Sequence, residues 1–506
     1  MKSRAVWAVG GALVLAHVLA SVLGPYGYFR DELYFIDCGR HPAFGYVDQP
    51  PLVPLLAAAS QLFGHQLWLL RALPALAHAS TALATAALAA LVAEEAGQDA
   101  RQARIVGAIC VALAPMYLGL HSTLNTTSFE PLAWTLMAYA AARAALRDEK
   151  EWLVWLGVMA GVAMEAKYAS PFFLAPLVVG LAAGPSRRIL LTRQAAWGTL
   201  AAVAIALPSV LWQAAHGFPF RELLHAASHG KNTVIAAAPF FLNQVMVMNP
   251  LLAPLWLGGV GWALASPRLA RVRFLAIAFC GVFLEMLLLH GKDYYVAPAY
   301  GVAFALGAVA LCRAVRSRVA RDAYLVAVAC VTVLAIPSSM PVVPPAALAR
   351  FVVWTHTQPQ AQENSARGAV LPQLMADMLG WKDLETRVAE VWRGLTPQEQ
   401  ARTAIVAGNY GEAGAINFYG GDDGLPRAAS GHNQYYLWGP TVDDPLVILR
   451  VNGNEGRWKE SCEELSVPLR FGGDYVMPYE HDAPIIRCVG PKWSLREHWP
   501  TFKHYE

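Results

Sequence analysis

A short stretch near the N-terminus carries side chains suited to chemistry. It reads Tyr26-Gly-Tyr-Phe-Arg-Asp-Glu-Leu-Tyr34, then Asp37, then Gly39-Arg40-His41, and then Tyr46-Val-Asp-Gln-Pro-Pro51. Four carboxylates, Asp31, Glu32, Asp37 and Asp48, thus stand among Arg30, Arg40 and His41, directly after an apolar run. A carboxylate at such a place could serve as general base toward an acceptor hydroxyl. A loop that is merely wet beside a membrane would also be polar. The aromatic residues and the Pro50–Pro51 pair argue for an ordered segment, because two prolines force an extended turn. On a helix the adjacent Asp31 and Glu32 would point about 100° apart, so only one of them faces a given site.

The elements that position this stretch are apolar. Of 506 residues, 56% are hydrophobic and 15% charged, against about 25% charged in soluble domains. Apolar segments fall near 5–24, 67–93, 105–121, 129–146, 152–168, 170–184, 195–213, 250–265, 272–290, 294–312 and 322–340. At roughly 17–25 residues per span, these amount to about eleven transmembrane helices. The run at 5–24 could be a signal peptide, but it is long enough to be retained as a first span. Pieces 52–63 and 236–248 are apolar but short, which suits helices lying in the membrane interface.

Charge placement sets the orientation. Lys2 and Arg4, Arg101 and Arg104, Arg143, Arg147 and Lys150, Arg187, Arg188 and Arg193, Arg268, Arg271 and Arg273, and Arg313, Arg316, Arg318 and Arg321 fall in alternate loops. The intervening loops hold only Arg30, Arg40, Arg221, Lys231 and Lys292. By the positive-inside rule the N-terminus is cytoplasmic, and the first loop and the C-terminal tail lie outside. A net charge of +3 is too small to point to nucleic acid. Residues 1–344 then form the membrane part, with a first outer loop at 25–66, and 345–506 a small soluble α/β domain. In that domain 381–395 has helical periodicity, and 403–407, 445–451 and 485–489 look like strands. Of seven cysteines, only Cys462 and Cys488 lie in the tail, where a disulfide is plausible outside the cytoplasm. None of the seven has metal-ligand spacing.

Within this frame the first loop resembles that of family 39 glycosyltransferases of the GT-C superfamily. That group includes protein O-mannosyltransferases and the aminoarabinose transferase acting on lipid A. The residues that carry the resemblance are the Asp31-Glu32 pair after the first span, Gly39-Arg40-His41, and Asp48-Gln-Pro-Pro51. It implies a polyprenyl-phosphate sugar donor at the outer membrane face and an inverting displacement with Asp31 as general base. Glu32 would support Asp31 or bind acceptor, and the acceptor would be a lipid, a glycan or a protein. Asp48 matches the aspartate of an Asp-His-Pro-Pro-like pattern. Gln49 stands where the commoner histidine would be, so no role of that histidine carries over to this chain. Asp48, Gln49 and Tyr34 would order the loop or meet the acceptor.

The departing phosphate must be stabilised, and basic groups do this. Lys167, at the outer end of a span beside Tyr168, and Lys292, with Tyr294 in Gly291-Lys-Asp-Tyr-Tyr295, are the candidates, with Arg40 a third. A lysine at a helix end can also simply snorkel to the interface. A divalent metal is possible in this superfamily, although no ligand cluster in the sequence demands one. Glu130, Glu165 and Glu285 are ionisable residues in or beside spans, where such groups are expensive.

Two tail motifs suit structural roles. Gly408-Asn-Tyr-Gly-Glu-Ala-Gly414 departs from dinucleotide-loop spacing, and Ser430-Gly-His-Asn433 with Tyr435, Tyr436 and Trp438 fits a folded edge as well as a sugar platform. The rival functions are a transporter or lipid flippase, and a non-catalytic envelope assembly factor. The first would call for repeats and midplane charges, whereas no repeat is evident and the charged residues gather at the outer surface instead.

Overall fold

The structure is a computed structural model that describes residues 4–226, 233, 235–357, 363–421 and 423–506. Lys2 and Lys231, counted above among the loop charges, fall outside these. The chain divides into two compact units. One comprises residues 1–24, 68–211 and 234–342, the other 25–67, 212–233 and 343–506.

The first unit is helical, and each apolar segment read from the sequence contains a helix. Among the described residues, five helices are long and apolar enough to cross a membrane: Arg4–Leu23, Leu67–Glu95, Arg193–Ala215, Asp293–Ala314 and Arg318–Ser339. A sixth is reached if Ala237–Val247 and Pro250–Ala265, bent by 98°, count as one span. Against an expectation of about eleven, the others are shorter or interrupted. Segment 105–121 shows why. Its helix ends at Ala112 and a new one begins at Pro115, because proline lacks the N–H that continues a helix. Helices Trp152–Ala166 and Arg193–Ala215 meet at paired glycines. A Cβ on Gly157 would stand 1.8 Å from the Gly198 carbonyl oxygen, so only glycine permits this approach.

The second unit contains a five-stranded sheet. Its strands are β1 (Thr403–Ala407), β2 (Ala428–Ser430), β3 (Val447–Val451), β4 (Cys462–Phe471) and β5 (Ala483–Pro491), in the order β2-β1-β3-β5-β4. β1 pairs parallel with β2 and β3, while β5 pairs antiparallel with β3 and β4. The helix expected at 381–395 runs Trp381–Arg393. Strands β1, β3 and β5 fall where the sequence placed them. β2 is buried but only three residues long, and β4 is an edge strand of exposed and half-buried side chains with a proline at 468, so neither stands out as a buried run in the sequence.

Cys462 and Cys488 are joined by a disulfide that fastens the start of β4 to β5. Closing a loop between residues 26 apart stabilises by about 3 kcal/mol through the unfolded chain. The Cys462→Ala/Cys488→Ala protein is expected to unfold at lower denaturant concentration by that amount. Reductant should move the wild type to the same midpoint and leave the variant unchanged.

The rest of the second unit's core involves the first loop. Helix Arg30–Arg40 packs on helix Tyr410–Tyr419, and Leu33, Tyr34, Phe35, Ile36 and Cys38 are all buried. The contact is close at Gly414, where a Cβ would lie 3.2 Å from that of Leu33.

Candidate active site

The start of helix Arg30–Arg40 separates the two adjacent carboxylates. Glu32 turns back and accepts from the Phe29 backbone N–H at 2.8 Å, capping the helix, and is fully buried. Asp31, one residue earlier on the helix, is turned away from it and keeps 27% of its side chain exposed. The Tyr410 hydroxyl donates to Asp31 Oδ1 at 2.8 Å, and Arg30 Nε lies 3.5 Å from the same oxygen. Burial pushes the Tyr410 pKa well up, and although Arg30 opposes this, the phenol keeps its proton and acts as donor.

Arg30 is built in. It donates to the Tyr479 hydroxyl at 2.9 Å, lies 3.6 Å from Asp377, and covers the Tyr410 ring at 5.2 Å. Burial disfavours its charge, but Asp377, Tyr410, Tyr479 and Asp31 together hold its pKa above the ordinary value. Burial lifts the Asp377 carboxyl to about 6, against the pull of Arg30. Asp31 is thus the partly exposed end of a buried charged network.

The other loop residues are tied inward. Tyr34 donates to Asp48 Oδ1 at 2.7 Å and accepts from the Gln434 N–H at 3.3 Å. Gln49 is buried, and its carbonyl accepts from Tyr46 N at 2.9 Å. Arg40 is exposed and donates to the Asn417 carbonyl at 3.1 Å. Asp37 is buried, and its Oδ2 accepts from Tyr435 at 2.6 Å and Asn417 at 2.8 Å, with Arg427 at 3.4 Å. Three tyrosines therefore each donate to a different first-loop aspartate. A hydrogen bond to a charged group contributes about 1.5–3 kcal/mol. Tyr435→Phe is expected to lower stability by that much in denaturant unfolding, since it strips Asp37 of its shortest bond.

In the first unit, Lys167 Nζ donates to Thr127 Oγ1 and to Glu130 Oε2, both at 2.9 Å. The same ammonium lies 4.8 Å from the Tyr295 ring centre and 5.8 Å from that of Tyr294. Lys292 Nζ is 6.0 Å from the Tyr294 ring centre. Two cations and two tyrosines are thus brought together at the start of helix Tyr300–Ala314, with Asp293 held by Asn243 and Gln244. Glu165 accepts instead from Ser209 at 2.7 Å.

Residues 48–212 match the model of the dolichyl-phosphate-mannose-protein mannosyltransferase family. ArnT from Cupriavidus metallidurans in the apo state aligns with a TM-score of 0.62 at 14% identity, covering 96% of this chain and 99% of that one. The same protein bound to undecaprenyl phosphate aligns at 0.59 with equal coverage. The chain has the fold of ArnT. An oligosaccharyltransferase of Archaeoglobus fulgidus aligns at a TM-score of 0.46 and 13% identity, over 82% of this chain and 63% of that one. No curated protein sequence matches the chain.

Along this chain the family match begins at Asp48 and includes Lys167, while Asp31 and Glu32 precede it and Lys292 follows it. The sequence pointed to the first-loop carboxylates but not to Tyr410, Asp377 or Asn417. Tyr410 lies inside the Gly408–Gly414 motif, which does form a strand–loop–helix turn. The amides of that turn are already engaged. Glu412 accepts from Gly408 N at 2.7 Å and Asn409 N at 3.3 Å, as well as from Asn452 at 2.7 Å. With a carboxylate of the chain itself in that place, the turn offers nothing to a nucleotide phosphate.

Proposed function

We propose that the protein is a membrane glycosyltransferase that moves one sugar from a polyprenyl-phosphate donor to a lipid, glycan or protein acceptor at the outer membrane face. The observation that carries the reading is the setting of Asp31. Glu32 and Asp37 are consumed by capping and by buried bonds, whereas Asp31 keeps an exposed face and a fixed orientation. In the proposed step the acceptor hydroxyl gives its proton to Asp31 as its oxygen bonds to the anomeric carbon. The carbon–oxygen bond to phosphate breaks, the polyprenyl phosphate leaves with the electron pair, and the anomeric configuration inverts. Lys167 and Lys292, with Tyr294, are the proposed contacts of the departing phosphate, with Arg40 as a further candidate. Glu32 serves Asp31 as a positioning residue, and Tyr34, Asp48 and Gln49 order the loop. The donor class is supported by the undecaprenyl phosphate bound to ArnT.

The proposed topology has a cytoplasmic N-terminus, with 345–506 as an extracytoplasmic domain. The loop charges and the Cys462–Cys488 disulfide support it, since disulfides persist in oxidising compartments. The test is transfer from a mixture of radiolabelled polyprenyl-phosphate sugars in membranes carrying the protein. Label passing covalently to an acceptor, with release of polyprenyl phosphate, is the expected result. Movement of the intact labelled lipid across vesicles without transfer would overturn the reading in favour of a flippase.

A further inference from the structure

The segment 430–433 and the segment 502–506 lie side by side in the second unit, joined by a parallel bridge between His432 and His504. His504 N donates to the Gly431 carbonyl at 3.0 Å, and Asn433 N to that of His504 at 3.1 Å. The Asn433 side chain then holds Glu506 from both sides, accepting from its N–H and donating to its carbonyl, each at 3.2 Å. The approach requires Gly431, because a Cβ there would lie 1.8 Å from the Phe502 carbonyl oxygen. The turn requires a residue that tolerates the left-handed region, and Asn433 adopts it at φ 47°.

This pairing brings one nitrogen each of His432 and His504 and a carboxylate oxygen of Glu506 within 4.8 Å of one another. His432 is buried, His504 half-buried and Glu506 exposed, so the cluster opens to solvent on one side. His504 Nδ1 lies 2.9 Å from the Phe502 carbonyl. Toward a carbonyl that nitrogen can only donate, so Nε2 is the nitrogen left to bind a cation. The neighbouring Lys503 is drawn off by Glu222, 2.6 Å away.

We propose that His432, His504 and Glu506 form a binding site for a zinc-class divalent cation, with a fourth position left for water. Two imidazoles and one carboxylate are a borderline donor set that suits zinc better than magnesium or calcium. The His432 ring packs on Tyr410 at 4.7 Å, and Tyr410 donates to Asp31. A cation there fixes the ring behind the Asp31 bond. Cation binding at these three residues does not depend on the proposed transfer reaction.

The experiment uses the tag-free full-length protein in detergent, stripped with chelator and titrated with zinc chloride against a competing chromophore. The wild type is expected to take up a single equivalent, and His504→Gln to bind at least about 100-fold more weakly, since even outer-shell changes cost 10–100-fold. Cobalt(II) in the wild type should give intense tetrahedral d–d bands that His504→Gln lacks. Equal melting temperatures of the two metal-free proteins show that the variant is folded; if they differ, Glu506→Gln, at an exposed position, takes its place. Stoichiometric zinc in wild type and variant alike, or none in the wild type, would overturn the proposal.

Discussion

Asp31→Asn is expected to reduce sugar transfer by about 10²–10⁴-fold while leaving the protein folded. The range is what a positioned general base contributes. Asparagine keeps the shape of the side chain and an oxygen that can still accept from Tyr410, so the network around Arg30 need not rearrange. What it loses is the capacity to take a proton from the acceptor hydroxyl. Initial rates of label transfer, together with the unfolding midpoint of the purified variant, separate the two effects. Full transfer by a correctly inserted Asp31→Asn protein would remove Asp31 from the chemistry. A matching loss in both rate and midpoint would assign it to structure. Glu32→Gln is a useful companion, because the glutamine can still accept from Phe29 N and should retain most of the rate.

Lys167→Gln carries the second large effect, about 10²–10³-fold in transfer rate, the usual cost of deleting one group that stabilises developing negative charge. The substitution also has a structural consequence. Lys167 is the ion-pair partner of Glu130, which is buried. Removing one member of a buried pair leaves an uncompensated charge and costs about 3–5 kcal/mol. The double variant Lys167→Gln/Glu130→Gln removes both charges and should recover most of that stability. If it also recovers transfer, Lys167 serves only to neutralise Glu130. If stability returns and transfer stays low, the ammonium acts on the donor. Substitution by arginine is not conservative here, because a planar fork cannot replace a compact ammonium held by Thr127 and Glu130 at equal distances.

How far the sequence reveals this molecule depends on the range of the interaction. Helices of the first unit were legible because long apolar runs have few alternatives in lipid. Their continuity was not always legible, because Pro115 interrupts a run that hydropathy reads as continuous. In the second unit, β1 and β3 announce themselves as buried runs, while β4 at the sheet edge has exposed faces and no such signature. The choice between Asp31 and Glu32 was partly encoded nearby. Glu32 stands three residues after Phe29, the spacing of a capping box. The usual Ser or Thr at the first position is missing, so only the backbone half of the motif exists. The tyrosines that hold Asp31 and Asp37 are out of reach of any local pattern, since they come from 379 and 398 residues away.

That separation has a consequence for how the protein is made. Helix Arg30–Arg40 leaves the ribosome early, but the helix against which it buries Leu33 is encoded almost at the other end of the chain. At 5–20 residues per second, the 379 residues between Asp31 and Tyr410 take roughly 20–75 s to synthesise. Through that interval the apolar face of the first loop waits without its native cover, while the spans between are being inserted. The yield of folded protein therefore depends on whatever shields that face in the meantime, and a chain cut short before residue 410 keeps Asp31 but never acquires the tyrosine that aims it.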